Sequence, residues 1–110
     1  MKLLASIWCA TILLGVGFGQ QFSPPGGFVP NEATAVKVAE AVLVPVYGEQ
    51  QIASERPFHA RRDGDTWTVS GTLRCPDGKG GTTTTLCDGG VAEVHISAAD
   101  ARILSMKHGK

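Results

Sequence analysis

The sequence has no excess of either charge and contains few cysteines and histidines, the residues that most often bind metals or take part in catalysis. Ten Lys and Arg residues balance ten Asp and Glu residues, so no basic stripe is available for nucleic acid or an anionic lipid surface. Cysteine occurs only three times and histidine three times. With 43% apolar and 18% charged residues among 110, the composition is that of one ordinary globular domain.

Long apolar runs are also lacking, except for one at the N-terminus. Residues 3–16, LLASIWCATILLGV, follow a lysine and precede Gly17-Phe18-Gly19. A short apolar run between a positive start and small residues is typical of a secretory signal peptide. We expect residues 1–19 to be cleaved near Gly19, leaving a periplasmic or secreted protein with no stable membrane association. An uncleaved membrane anchor is the alternative.

Cleavage would leave only two cysteines, Cys75 and Cys87, in the mature chain. An even pair in an exported protein favours a disulfide. The pair brackets most of the segment GTLRCPDGKGGTTTTLCDGG, residues 71–90. A bridge here would close a loop of about a dozen residues and stabilise the fold by about 3 kcal/mol through the lost entropy of the unfolded chain.

No motif for a cofactor, a metal or catalysis is present. Lys79 is followed by glycine and then by a strand, whereas a phosphate-binding loop needs Ser or Thr after the lysine and then a helix. The cysteines and histidines lack the spacing of a zinc site, and the serines lack a base and an orienting carboxylate. We therefore expect no enzyme activity, no cofactor and no bound metal.

The first folded element is predicted to be an amphipathic helix. Residues 20–30, QQFSPPGGFVP, have the composition of a flexible leader. Asn31 is a suitable N-cap, Pro45 should kink or end the helix, and Gly48 is a candidate left-handed cap after Tyr47. The apolar stripe recurs at steps of three and four residues: Ala35, Val36, Ala39, Val42, Leu43 and Val46.

After a polar link at residues 49–55, the apolar period changes to two. Asp63-Gly64 between alternating segments predicts a hairpin of strands at residues 57–61 and 65–73. Two further strands are expected at residues 91–97 and 102–107. The predicted inward side chains are Trp67, Val69, Gly71, Leu73, Ala92, Val94, Ile96, Leu104 and Met106. The fold class is thus α+β, with one N-terminal helix packed on a four-stranded antiparallel meander in a single domain of residues 31–110.

Three segments in order carry a family resemblance: NEATAVKVAEAVLVPVYG, ERPFHARRDGDTWTVSGTL and GGVAEVHISAADARIL. Together they resemble the small bacterial immunity proteins with a nuclear-transport-factor-2-like fold, which are found beside polymorphic toxins. The resemblance covers about residues 30–108. The matching positions are Thr34, Ala35, Tyr47, Gly48, Glu55, Arg56, Pro57, Phe58, Trp67, Gly71, Thr72, Leu73, Gly89 and Gly90. Two features depart from the family, namely Asp100-Ala101 in place of Asp-Gly and the long segment between the cysteines.

The resemblance implies a protein that binds and neutralises a cognate toxin by occlusion. Most matching positions are expected to have structural roles: Tyr47, Gly48, Pro57, Phe58, Trp67, Gly71, Gly89 and Gly90. The candidate partner-binding residues are Lys79, Thr82, Thr83, Thr84 and Thr85, together with Glu55 and Arg56. Glu55 and Arg56 could instead fix the link between the helix and the sheet.

Two other functions remain open on the sequence. The same order of elements resembles PepSY-type and cystatin-like modules, so a periplasmic inhibitor of a peptidase or a cell-wall lytic enzyme is an alternative. A small-ligand module is the other, with a cavity in the concave sheet face lined by Trp67, Phe58 and Tyr47. An upstream toxin gene would favour immunity, and tight packing of the helix on the sheet would disfavour the ligand cavity.

Overall fold

A computed structural model describes residues 19–83 and 89–109 of the protein. Two helices, α1 (Glu32–Tyr47) and α2 (Glu49–Ser54), precede the strands. The strands are β1 (His59–Asp63), β2 (Thr66–Ser70), β3 (Cys75–Pro76), β4 (Thr82–Thr83), β5 (Ala92–Ser97) and β6 (Ile103–His108). A helical layer on a four-stranded antiparallel sheet of order β1-β2-β5-β6 confirms the predicted α+β meander. The predicted signal peptide, apart from Gly19, lies outside the described residues.

Helix α1 begins and ends where the sequence predicts. The side-chain Oδ1 of Asn31 accepts a hydrogen bond from the Thr34 backbone N–H at 2.9 Å. Pro45 lies inside the helix, which continues to Tyr47. Gly48 has φ 92° and ψ 150°, so it leaves the helix in an extended conformation with positive φ rather than as a left-handed helical cap.

The buried stripe of α1 is narrower than predicted. Ala35, Ala39 and Leu43 recur at four-residue steps and are fully buried. Val46 is 59% exposed, which contradicts its predicted place in the stripe. Tyr47 packs against the core instead, because it lies four residues after Leu43 and so continues the same stripe.

The polar link predicted at residues 49–55 is wrong, because the segment forms helix α2. Ile52 of this helix is completely buried, and Glu55, directly after it, is only 4% exposed. A single large apolar residue in a six-residue stretch produces no periodicity in the sequence, and so short a helix depends on packing rather than propensity.

The sheet places its apolar side chains beneath α1. The predicted hairpin of β1 and β2 is present, but its turn is Gly64-Asp65, one residue later than predicted, because Asp63 pairs with Thr66. Gly64 supplies the positive φ, 61°, that the turn needs at its first position. Trp67 lies opposite Ile96, and the same alternation continues along β2 and β5. The core consists of Val29, Ala35, Ala39, Leu43, Ile52, Phe58, Trp67, Val69, Ala92, Val94, Ile96 and Ala98.

The predicted inward position of Leu104 in β6 is wrong. Val94 of β5 pairs with Met106 and Ile96 pairs with Ile103, so the register shifts between them. This bulge adds one residue to β6 and reverses its alternation. Leu104 is consequently 44% exposed, whereas Ile103 and Met106 pack against the core.

The end of the predicted leader is part of the fold. Val29 is fully buried, and its backbone N–H donates to the Ala98 carbonyl at 3.0 Å. The indole Nε1 of Trp67 donates to the Val29 carbonyl at 2.8 Å. Gly27 has φ 82°, and a Cβ there would lie 2.3 Å from the Ala98 carbonyl oxygen, so this close approach needs glycine. Among the described residues, no helix has the length and apolarity to cross a membrane.

Strands β3 and β4 form a separate two-stranded sheet within the segment between the cysteines. Cys75 lies opposite Thr83 in this small sheet. Cys87, Thr84 and Thr85 are outside the described residues, so the predicted Cys75–Cys87 disulfide stays a prediction. The long segment therefore contains a short hairpin beside the main sheet rather than an extension of it.

Candidate functional site

A buried carboxylate joins three elements at one end of the fold. Glu55 follows α2, and its Oε1 accepts a hydrogen bond from the Ala92 backbone N–H of β5 at 2.6 Å. Its Oε2 accepts from Gln51 Nε2 at 2.8 Å and lies 2.8 Å from His108 Nε2 of β6. Glu55 thus ties α2 to the two C-terminal strands, and its side chain is withdrawn from solvent.

Both ring nitrogens of His108 face acceptors. Nε2 faces the Glu55 carboxylate, and Nδ1 lies 2.7 Å from the Gly109 carbonyl oxygen. The ring also contacts Tyr47, with centroids 5.2 Å apart. Only the doubly protonated ring can donate to both acceptors, so this arrangement favours the charged form.

The pKa values of the pair move in opposite directions. Burial by itself raises the pKa of Glu55, but hydrogen bonds from Gln51, Ala92 and His108 outweigh it and hold the pKa below its ordinary value. The hydrogen bond to Glu55, aided by the Gly109 carbonyl, raises the pKa of His108 despite partial desolvation. Both shifts favour the charged form of their group, so they widen the pH range in which Glu55 and His108 form an ion pair.

We expect stability to be greatest between about pH 4.5 and 6.5, the ordinary pKa values of the two groups. Because the pKa of folded Glu55 is lowered, its contribution is present above 4.5 and is lost as the pH falls through the lowered value. Because the pKa of folded His108 is raised, its contribution is complete below 6.5 and is lost as the pH rises through the raised value. Urea unfolding at a series of pH values measures the loss of stability on both the acid and the alkaline side.

The matched control for this pH profile uses two histidines. His108→Gln should remove the decline of stability on the alkaline side, because the titrating ring is gone. His95→Gln should leave that decline in place, since His95 lies on the outer sheet face, 2.8 Å from Glu93 Oε1. An alkaline decline that persists unchanged in His108→Gln would contradict the assignment.

Neighbouring motif residues shape the space around Glu55. A Cβ on Gly71 would lie 2.8 Å from Glu55 Oε1 and 3.1 Å from Phe58 Cε2, so a larger residue at this position would displace both side chains. Thr72 donates its backbone N–H to the Glu55 carbonyl at 2.7 Å and its hydroxyl to the Pro57 carbonyl at 2.6 Å. These contacts give the Gly-Thr that follows β2 a structural role.

Arg56 joins the two helices. Its Nε donates to Glu40 Oε1 of α1 at 2.7 Å, and its NH1 donates to Glu49 Oε1 of α2 at 2.9 Å. The Arg56 side chain remains 40% exposed. Of the two roles considered for Glu55 and Arg56, the structure places both residues in the link between helices and sheet.

An open cleft of about 300 Å³ lies beside Glu55. Helix α2, the chain after β2, strand β4 and the start of β5 form its walls. The lining residues are Gln51, Ser54, Glu55, Thr72, Leu73, Arg74, Thr82, Gly90 and Val91. Of the predicted contact residues, the cleft brings Glu55 and Thr82 together, whereas Arg56, Lys79 and Thr83 are not part of its lining.

The small-ligand alternative loses its structural basis. Phe58 is 5% exposed and Trp67 is 7% exposed, and both belong to the core under α1. The predicted ligand cavity is thus filled by the protein's own packing. Across residues 19–83 and 89–109, no group of three or more His, Cys, Asp or Glu side chains could hold a metal ion.

His108 and Ile52 are not among the residues that the sequence pattern predicts to be important. His108 lies on the inner face of β6, two residues after Met106, so strand alternation extended by one residue would have found it. Ile52 has no such signal, because its burial depends on how α2 folds back against the sheet. The Glu55–His108 contact joins residues 53 positions apart and has no signature in either segment.

Comparison with known proteins gives one family and one relative. The family profile described as "NTF2 fold immunity protein" matches residues 34–110. The uncharacterized protein YhhH of Escherichia coli (strain K12) is 30% identical over 82 residues, which cover 74% of this chain and 58% of that protein. This chain therefore spans little more than half the length of that relative. No solved structure gives a significant match.

Proposed function

The chain belongs to the NTF2 fold immunity protein family, and we propose that it binds a cognate bacterial toxin and neutralises it by occlusion. The family match supports this proposal over most of the folded domain. The order of the motifs that surround Glu55 supports it as well, because those residues build a framework for a binding surface. Occlusion requires a stable surface of the right shape and no chemical step.

Binding rather than catalysis is also supported by the way the ionisable groups are used. The buried carboxylate of Glu55 is engaged by His108, Gln51 and a backbone N–H, and Arg56 is engaged by two glutamates. Groups held this way contribute to stability and leave little freedom for proton transfer to a substrate. We place the encounter with the toxin in the periplasm or outside the cell, as the N-terminal sequence predicts.

Co-expression tests the proposal directly. We expect this protein to restore growth of cells that produce the toxin encoded immediately upstream of its gene, and to copurify with that toxin. The control is the same protein with residues 1–19 deleted, which should fail to protect against a toxin that acts in the periplasm. No protection and no copurification would refute the immunity function. Capture of a peptidase or a cell-wall lytic enzyme instead would favour the inhibitor alternative.

A further inference from the structure

The hairpin of residues 74–83, here called the arm, stands apart from the main sheet. Among the described residues, strand β3 pairs with β4, through Cys75 opposite Thr83 and Pro76 opposite Thr82. The residues at the tip, 77–81, are exposed. The arm therefore presents a narrow tip that the described core does not cover.

The tip of the arm is held in one shape by Asp77. Its Oδ1 accepts hydrogen bonds from the backbone N–H groups of Lys79 at 2.7 Å and Gly81 at 3.1 Å. Its own N–H donates to the Gly81 carbonyl at 3.1 Å. Gly78 and Gly80 have φ of 78° and 86°, a conformation that other residues rarely adopt. These contacts order the turn before any partner arrives, which lowers the entropy cost of binding.

The arm has a small positive charge, because the two cations Arg74 and Lys79 stand against one carboxylate, that of Asp77. Arg74 and Lys79 are exposed and form no ion pair within residues 19–83 and 89–109. On the body, Arg102 and Lys107 lie beside carboxylates, whereas Lys37 and Arg61 are exposed without an ion pair to any other described residue. The arm differs from these sites because its cations belong to an ordered hairpin. The carboxylate of Asp77 is turned onto the arm's own backbone. Outside the arm, acidic side chains outnumber basic ones in the described chain.

We propose that the arm is a preordered cationic plug that inserts into an acidic cleft on the cognate toxin. This inference rests on the proposed function and adds the contact surface and the chemistry of its partner. A narrow, ordered tip fits a concave surface better than a flat one. Its positive charge, set on a body with more acidic than basic groups, orients the molecule so that the arm meets a negative surface first.

Charge reversal at two sites tests the plug. Arg74→Glu with Lys79→Glu reverses the arm, and Lys37→Glu with Arg61→Glu makes the same charge change at two exposed, unpaired cations elsewhere. The probe is the purified product of the upstream neighbouring gene, and its affinity is measured by titration calorimetry at several salt concentrations. We expect the arm variant to bind at least about tenfold more weakly and with a shallower salt dependence, and the control to stay within about threefold of the wild type.

The substitution Asp77→Ala distinguishes the contribution of the ordered tip to binding from the contribution of the arm's charge. This substitution makes the arm more positive, so charge alone would tighten the complex with an acidic partner. We expect weaker binding instead, by about threefold or more, because the tip must be ordered on binding. Circular dichroism of each variant checks that the fold is intact.

The outcomes distinguish the plug from the immunity function. Equal losses in the arm and control variants, or no loss in the arm variant, would overturn the plug while leaving immunity standing. A tighter complex with Asp77→Ala would overturn the preordered shape. A wild-type protein that neither binds nor protects would refute the immunity function itself.

Discussion

Replacing Glu55 by alanine is expected to lower the free energy of unfolding by about 2–4 kcal/mol, because it leaves a buried backbone N–H without its acceptor and removes the buried partner of His108. Glu55 is 4% exposed, and its loss would leave the Ala92 N–H and the charged ring of His108 without their acceptor. Few small domains tolerate a loss of this size, since their total stability is about 5–15 kcal/mol. Urea unfolding followed by tryptophan fluorescence measures the change.

Two further substitutions serve as controls for Glu55. Glu49→Ala, at an exposed position of the same helix, should change stability by less than about 1 kcal/mol. Glu55→Gln should fall between Glu49→Ala and Glu55→Ala, because the amide keeps the shape and an acceptor but loses the charge that pairs with His108. A Glu55→Ala protein as stable as Glu49→Ala would show that the buried pair is not a major support of the fold.

Trp67→Ala is expected to be comparably destabilising, by about 3–5 kcal/mol, because it opens a large cavity in the core. Trp67 is 7% exposed and lies at the centre of the sheet, opposite Ile96. Its indole also holds the carbonyl of Val29, so the substitution should release the segment before α1. Thermal unfolding monitored by circular dichroism gives the loss of stability, and proteolysis near residue 29 reports the release.

Trp67→Phe isolates the contribution of the indole hydrogen bond. This variant keeps most of the packing but leaves the Val29 carbonyl unpaired, so we expect a loss of about 1–3 kcal/mol. Phe22→Ala, at a position that is 73% exposed, should have little effect and controls for the removal of an aromatic ring. If Trp67→Ala did not increase cleavage near residue 29, the indole would not be what anchors this segment.

Variants of Glu55 and Trp67 also help to distinguish effects on stability from effects on binding. Loss of toxin protection in Glu55 or Trp67 variants should follow the fraction of unfolded protein, since neither side chain is available at the surface. Loss of protection in the charge-reversed arm should occur with full stability. Measuring both quantities on the same variants therefore distinguishes residues that build the framework from residues that meet the partner.

Local patterns in the sequence were sufficient for the main elements of the fold. Asn31 supplies its own side chain to start α1, and the hairpin turns at Gly64-Asp65, directly after the predicted Asp63, so each signal lies within a few residues of its effect. The alternation around Trp67 and Val94 likewise specified which face of β2 and β5 is buried. The ordered motifs also indicated the family that the profile match then showed.

Contacts between distant segments decided what the sequence left open. The bulge that exposes Leu104 is a feature of pairing between β5 and β6, and helix α2 forms because Ile52 finds a place in the core. Val29 is buried because Trp67 and the Ala98 carbonyl are both within reach.

The sequence by itself determined an α+β domain of one leading helix and an antiparallel meander, and it determined the family. Only the tertiary structure decided that Glu55 is an interior anchor held by His108 and that the arm forms its own small sheet with a tip ordered by Asp77. The physical reason is the separation along the chain between the residues that interact. Caps, turns and alternation act between neighbours in the chain, whereas the burial of a charge depends on groups that only the folded chain brings together.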